Sequence, residues 1–156
     1  MRELEIIEKI RLHEKWVQSI KGGIRLDLSG ADLSNINLRN ATLIGADLSN
    51  SNLTGANLRG IDLSGANLRG AILTGANLTN AILVNVNLRG ADLTGTDLRS
   101  AILTGTDLRG AILVDANLIG VDLNNADLRG IDLYNISRNE VTPYISESIK
   151  LRNQIV

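Results

Sequence analysis

The chain has no phenylalanine and no cysteine, and only one tryptophan, one histidine and one proline among 156 residues. A globular core of this length ordinarily uses several large aromatics. The 44% of residues that are hydrophobic must therefore pack through one repeated aliphatic shape. Without cysteine there is no disulfide framework, no thiolate metal site and no cysteine nucleophile. No stretch approaches the ~18 apolar residues that span a bilayer, and Met1-Arg2-Glu3-Leu4-Glu5 lacks the apolar core of a secretory leader. A soluble cytoplasmic protein is expected. Charge of one sign is missing too. The net value is −1, with +2 over residues 1–25, −4 over 26–135 and +1 over 136–156. None of these segments is charged enough to announce nucleic acid or an anionic membrane as the partner.

What is present is a period of five. From Leu28 to Leu133 a leucine occurs at every fifth residue without a miss, making 22 pentads over residues 26–135. A helix would spread such leucines around its whole cylinder, because five residues rotate by ~500°. A flat strand would alternate them between faces. The chain must therefore turn once per pentad and bring each leucine inward. The residue two before each leucine is small or β-branched, mostly Ala, and shares the inward face. The residue between them points outward and is Asp in ten pentads and Asn in seven. The fifth position is Gly in thirteen pentads and Asn in seven, leaving Ser100 and Asp115. Gly and Asn best tolerate positive φ, as type II turns require.

Runs such as Ala31-Asp32-Leu33-Ser34-Asn35, Ala56-Asn57-Leu58-Arg59-Gly60 and Ala91-Asp92-Leu93-Thr94-Gly95 resemble the A-(D/N)-L-x-x signature of pentapeptide-repeat proteins. The resemblance implies an all-β fold, a right-handed quadrilateral β-helix with four pentads per coil. Twenty-two pentads then make about five and a half coils, a rod of ~26 Å at the usual strand spacing. Two functional readings stand, the second of them implied by the resemblance. One is a non-enzymatic scaffold or protein-interaction module with an unidentified protein partner. The other is a DNA mimic that modulates DNA gyrase, as some family members do. Those mimics are strongly acidic, often carry inward Phe and have protruding loops, whereas this chain has Leu at all 22 centres and arginines within the repeat.

An open solenoid invites end-to-end growth, so the flanking segments are expected to act as caps. Residues 1–25 are expected to hold an amphipathic helix over 3–20 with Ile6, Ile7, Ile10, Val17 and Ile20 on one stripe and Trp16 beside it. Gly22-Gly23 is expected to stop it, and His13 to be a packed cap residue. Residues 136–156, with Pro143 and a short apolar edge, are expected to form a C-terminal cap or a homodimer contact.

Chemistry is sparse. One His, no Cys and no Glu within 26–135 leave nothing from which to assemble a catalytic constellation, and no phosphate loop or zinc signature occurs. The outward Asp and Asn lack the nine-residue period of calcium-binding rolls. No metal and no cofactor is expected. Period arithmetic does single out columns. Residues twenty apart stack, so Arg69, Arg89, Arg109 and Arg129 form one column, flanked by Asn67, Asn87, Asp107 and Asp127. Arg39, Arg59 and Arg99 lie on the opposite face. Ile72 and Ile112 share one remaining face, and Ile82 and Ile102 stack on the other. The four-arginine column, with Ile82 and Ile102, is the candidate partner contact.

Overall fold

The computed structural model describes residues 3–131. The proposed C-terminal segment, 136–156, lies outside them. One helix, α1 (Glu3–Val17), precedes a solenoid whose coils repeat every twenty residues. Asp27 bridges Asp47 in parallel, Asp32 bridges Asn52, and the register continues unbroken to Asp107 and Asp127. Among the described residues no face forms a strand longer than its one bridged residue, because the chain turns at every pentad. Parallel connections of this kind are right-handed in nearly all proteins.

The backbone ladder accounts for the register. Leu28 N–H donates to the Asp47 carbonyl at 2.8 Å and Gly30 N–H to the Ser49 carbonyl at 2.8 Å, while Asp47 N–H donates back to Leu26 at 2.9 Å. Each corner closes with a turn bond, as from Ala31 N–H to Leu28 at 3.1 Å. The outward carboxylates and amides have a structural task as well. Asp27 Oδ1 accepts from Ser29 N–H at 2.9 Å and from Ser29 Oγ at 2.7 Å, and the same motif recurs up the rod. It serves the one turn amide that the ladder leaves out.

Every described corner, from Gly30 to Gly130, has positive φ, including Ser100 (57°) and Asp115 (56°), which break the Gly/Asn rule. A side chain in that region costs about 1–2 kcal/mol, while Gly loses about 0.5–1 kcal/mol of chain entropy. Ser100→Gly should therefore stabilise the rod by about 0.5–1 kcal/mol and raise the melting temperature. An unchanged or lower midpoint would contradict the corner rule.

The inward leucines and their small neighbours form one continuous core. Each buried leucine is worth about 1.5–3 kcal/mol. The polar intruders bond to lumen carbonyls: Ser51 Oγ to Leu48 at 2.7 Å, Thr96 Oγ1 to Leu73 at 2.9 Å, and Thr106 Oγ1 to Leu83 at 2.5 Å. Among the described residues no buried hydroxyl is left unsatisfied.

Helix α1 lies against the first coil, with Ile6 buried among the coil leucines and Ile10 packed beside it. Two features differ from expectation. The inward stripe is Ile6, Ile10, His13 and Val17, spaced at i, i+4, i+7 and i+11, with Ile6 and His13 buried and Ile10 and Val17 half-buried, whereas Ile7 and Ile20 are 55% and 49% exposed. Ile7 sits one residue past the stripe, on the turned-away side. Ile20 lies beyond the helix end. The helix also stops earlier than Gly22-Gly23 suggests. Ser19 takes φ 57°, its N–H reaches Trp16 at 3.0 Å, and Ile20 N–H reaches Lys15 at 2.8 Å. This pair of bonds is the Schellman stop. Gly22 (φ 84°) makes the following turn, closed by Gly23 N–H to Ile20 at 3.0 Å.

Candidate functional site

The ladder fixes which side chains share a face, so the arginine column exists as the period requires. Arg69, Arg89, Arg109 and Arg129 stand one per coil, at about the ~4.8 Å strand repeat. Their electrostatics divide sharply. Arg109 Nη2 lies 2.6 Å from Asp107 Oδ2, Arg129 Nη2 lies 2.7 Å from Asp127 Oδ2, and Arg109 Nε comes within 3.6 Å of Asp127. The side-chain hydrogen bond from Arg129 holds the Asp127 carboxyl down to about 2, and Arg109 likewise lowers Asp107. Those two arginines are neutralised on the rod itself.

Arg69 and Arg89 have Asn in place of Asp two residues before them. Asn67 and Asn87 use Oδ1 on the backbone N–H of the arginines, at 3.3 and 3.1 Å, and Asn87 Nδ2 donates to Asn67 Oδ1 at 3.3 Å. An amide has no charge with which to hold a guanidinium. Both arginines are exposed, and among the described residues neither has a carboxylate partner. Two cations one strand spacing apart repel by about 1 kcal/mol in water, which an anionic group bridging them would relieve.

The same contrast appears on the opposite face, which period arithmetic alone did not single out. Arg99 grips Asp97 at 2.6 Å. Arg39 and Arg59 follow Asn37 and Asn57, whose Oδ1 atoms likewise accept from backbone N–H groups at 3.3 and 3.4 Å. The signal lay in the identity of the residue two before each arginine. The rod thus carries two exposed guanidinium pairs, on opposite faces.

The isoleucine columns occupy the other two faces. Ile82 bridges Ile102 directly. Ile102 is exposed and Ile82 half-buried, while Ile72 and Ile112 are exposed across the rod. Arg69, Arg89, Arg109 and Arg129 therefore do not share a face with Ile82 and Ile102. The proposed contact is two surfaces, not one.

Among the described residues no group of three or more His, Cys, Asp or Glu side chains could hold a metal ion, and no helix is long and apolar enough to cross a membrane. A cavity of about 280 Å³ lies between α1 and the linker, lined by Lys9, Leu12, Ile24, Arg25, Leu26 and Asp27. Its cations are already engaged: Lys9 Nζ donates to the Asp27 carbonyl at 3.0 Å and Arg25 Nε to the Gly45 carbonyl at 2.6 Å.

Twenty-residue coils of four pentads, positive-φ corners and a leucine lumen define a class of β-solenoid, and the family model for pentapeptide repeats matches residues 25–60, 61–99 and 101–136 in 8 copies. The chain belongs to the pentapeptide-repeat family. It is similar to the pentapeptide repeat protein Rfr23 from the cyanobacterium Cyanothece 51142, at 30% identity over 73% of this chain and 89% of that one, with a TM-score of 0.66. A pentapeptide repeat protein of the Arabidopsis thaliana thylakoid lumen is 31% identical, covering 70% of each chain, with a TM-score of 0.47. QnrB1, a plasmid-mediated fluoroquinolone resistance protein, is 23% identical over 85% of this chain and 72% of its own, with a TM-score of 0.36. No curated protein matches the sequence.

Proposed function

We propose that the chain is a rigid, non-catalytic interaction module whose partner is a protein that presents carboxylates to Arg69 and Arg89. The observation that supports this is the division of one column. Where Asp107 and Asp127 stand beside arginine the charge is consumed locally, and where Asn67 and Asn87 stand it is left for a partner. Rigidity adds to the argument, because a backbone laddered on both sides presents guanidinium groups at a fixed spacing with little ordering cost.

Affinity capture from the native lysate, quantified for the wild type and three variants, tests this. The pair Arg69→Gln/Arg89→Gln should weaken retention of the captured partner at least tenfold, with an effect that shrinks at high salt. Arg109→Gln/Arg129→Gln should change it little. An Ile82→Thr/Ile102→Thr variant reports on the apolar face. Equal retention by the Arg69/Arg89 variant would remove the reading.

A further inference from the structure

Two α1 side chains bond to the backbone of the first coil. Lys9 reaches the Asp27 carbonyl at the surface. His13 is wholly buried, and its Nδ1 accepts the Leu26 N–H at 3.0 Å. That bond requires a neutral ring with its proton on Nε2, and Nε2 has no hydrogen-bond partner. The ring stacks on Trp16, with centroids 5.4 Å apart and planes 15° from parallel. Leu26 opens the first pentad, and its carbonyl already accepts from Asp47 at 2.9 Å. The histidine thus contacts the solenoid at the residue where its ladder begins.

We propose that His13 is a proton-operated latch: neutral, it holds α1 on the first coil, and protonated, it releases the helix and bares the N-terminal edge of the solenoid. A second proton would sit on Nδ1 and point at the Leu26 N–H, setting donor against donor at a ring that is wholly buried. The surroundings oppose that charge. Burial is the strongest influence and lowers the pKa, and Arg25 from the linker adds to the lowering. The Ile44 backbone from the coil and Glu14 on the helix act the other way. A base whose pKa is lowered on folding contributes fully above the unfolded value of about 6.5. Its contribution declines as pH falls below that value and is spent at the lowered value of the folded protein.

What the latch covers is a parallel β-edge. In the second coil the N–H groups of Asp47, Asn52, Asn57 and Asp62 donate to Leu26, Ala31, Ile36 and Ala41. Their first-coil equivalents, Asp27, Asp32, Asn37 and Thr42, have no coil beneath them. An edge of this kind accepts an extended strand.

The full chain reports on the latch through its single tryptophan, which is 41% exposed. Between pH 7.5 and 5, Trp16 fluorescence should change in one step. Hydrogen exchange over residues 3–17 and 26–45, corrected for the intrinsic pH dependence, should accelerate at least tenfold while residues 66–105 stay unchanged. His13→Asn places an amide oxygen where Nδ1 stands and cannot take up the proton, so both steps should vanish. Flat corrected exchange in the wild type would overturn the latch, as would an acid step that survives in His13→Asn. If that variant fails to fold, NMR titration of ¹³C-labelled His13 in the wild type decides instead. Its midpoint must coincide with the exchange step, and a midpoint more than one pH unit away overturns the proposal.

Discussion

Replacing Leu78 with alanine is expected to cost about 2–5 kcal/mol, a large share of the ~5–15 kcal/mol that separates a folded domain of this size from its unfolded chain. Leu78 is 1% exposed, with Leu58 and Leu98 above and below it. The loss exceeds simple transfer because the site cannot close. Leu78 N–H is held by Asp97 at 2.8 Å, Asn80 N–H by Arg99 at 2.9 Å, and Asn77 N–H bonds Ala56 at 2.9 Å on the other side. Moving the backbone into the gap would break ladder bonds on two coils at once. The cavity therefore stays, and lining atoms lose their contacts outright. Because each coil touches only its neighbours, the effect is local and passes through the weakened coil to global melting. Thr54→Ala, on the exposed face, is the control. A thermal midpoint for Leu78→Ala no lower than that control would contradict a close-packed lumen.

The solenoid was legible because each of its rules is enforced some twenty times. Leucine inward, a small residue beside it and a left-handed corner recur for one physical reason, so noise at any single pentad is outvoted. Even Ser100 and Asp115 obey the backbone despite breaking the residue rule. The outward Asp and Asn were legible as solvent-facing groups that serve turn amides. The end segment offered no such repetition. Hydrophobicity alone places Ile7 and Ile20 on the stripe, whereas strict spacing from Ile6 through Ile10 to Val17 selects position 13, a histidine. The paired glycines drew the stop signal away from Ser19, a residue that rarely adopts αL. The arginine column was readable from the period, and so was its division, since Asn or Asp stands two residues before each arginine. What the period could not supply was Arg39 and Arg59 as a second exposed pair, which emerges only when that same rule is applied to the opposite face.

Gly23→Ala is expected to detach α1, although the substitution adds one methyl group and requires no unusual φ. A Cβ at residue 23 would lie 2.5 Å from Trp16 Cα and 2.6 Å from the Lys15 carbonyl carbon, with the Trp16 nitrogen closer still. Every one of these is backbone, so no rotamer can relieve the collision. The helix end cannot retreat easily, because the Ser19 and Ile20 bonds to Trp16 and Lys15 fix its last turn. The linker must lift instead. That breaks the bond from Ile24 N–H to the Leu12 carbonyl at 3.0 Å and draws Leu26 away from His13, two residues further on. Overpacking of this kind costs about 1–3 kcal/mol, and here it falls on the contact that seats the helix. Gly22→Ala separates collision from strain: its Cβ meets nothing within 4 Å, but its φ is 84°, so it should lose only the αL penalty of about 1–2 kcal/mol with the helix still seated. Trp16 fluorescence at pH 8 distinguishes the two. Gly23→Ala should show at pH 8 the tryptophan signal that the wild type reaches only in acid, with fast exchange over residues 3–17, and Gly22→Ala should resemble the wild type. A Gly23→Ala protein with wild-type exchange across the helix would show that α1 is not seated on the first coil through this contact.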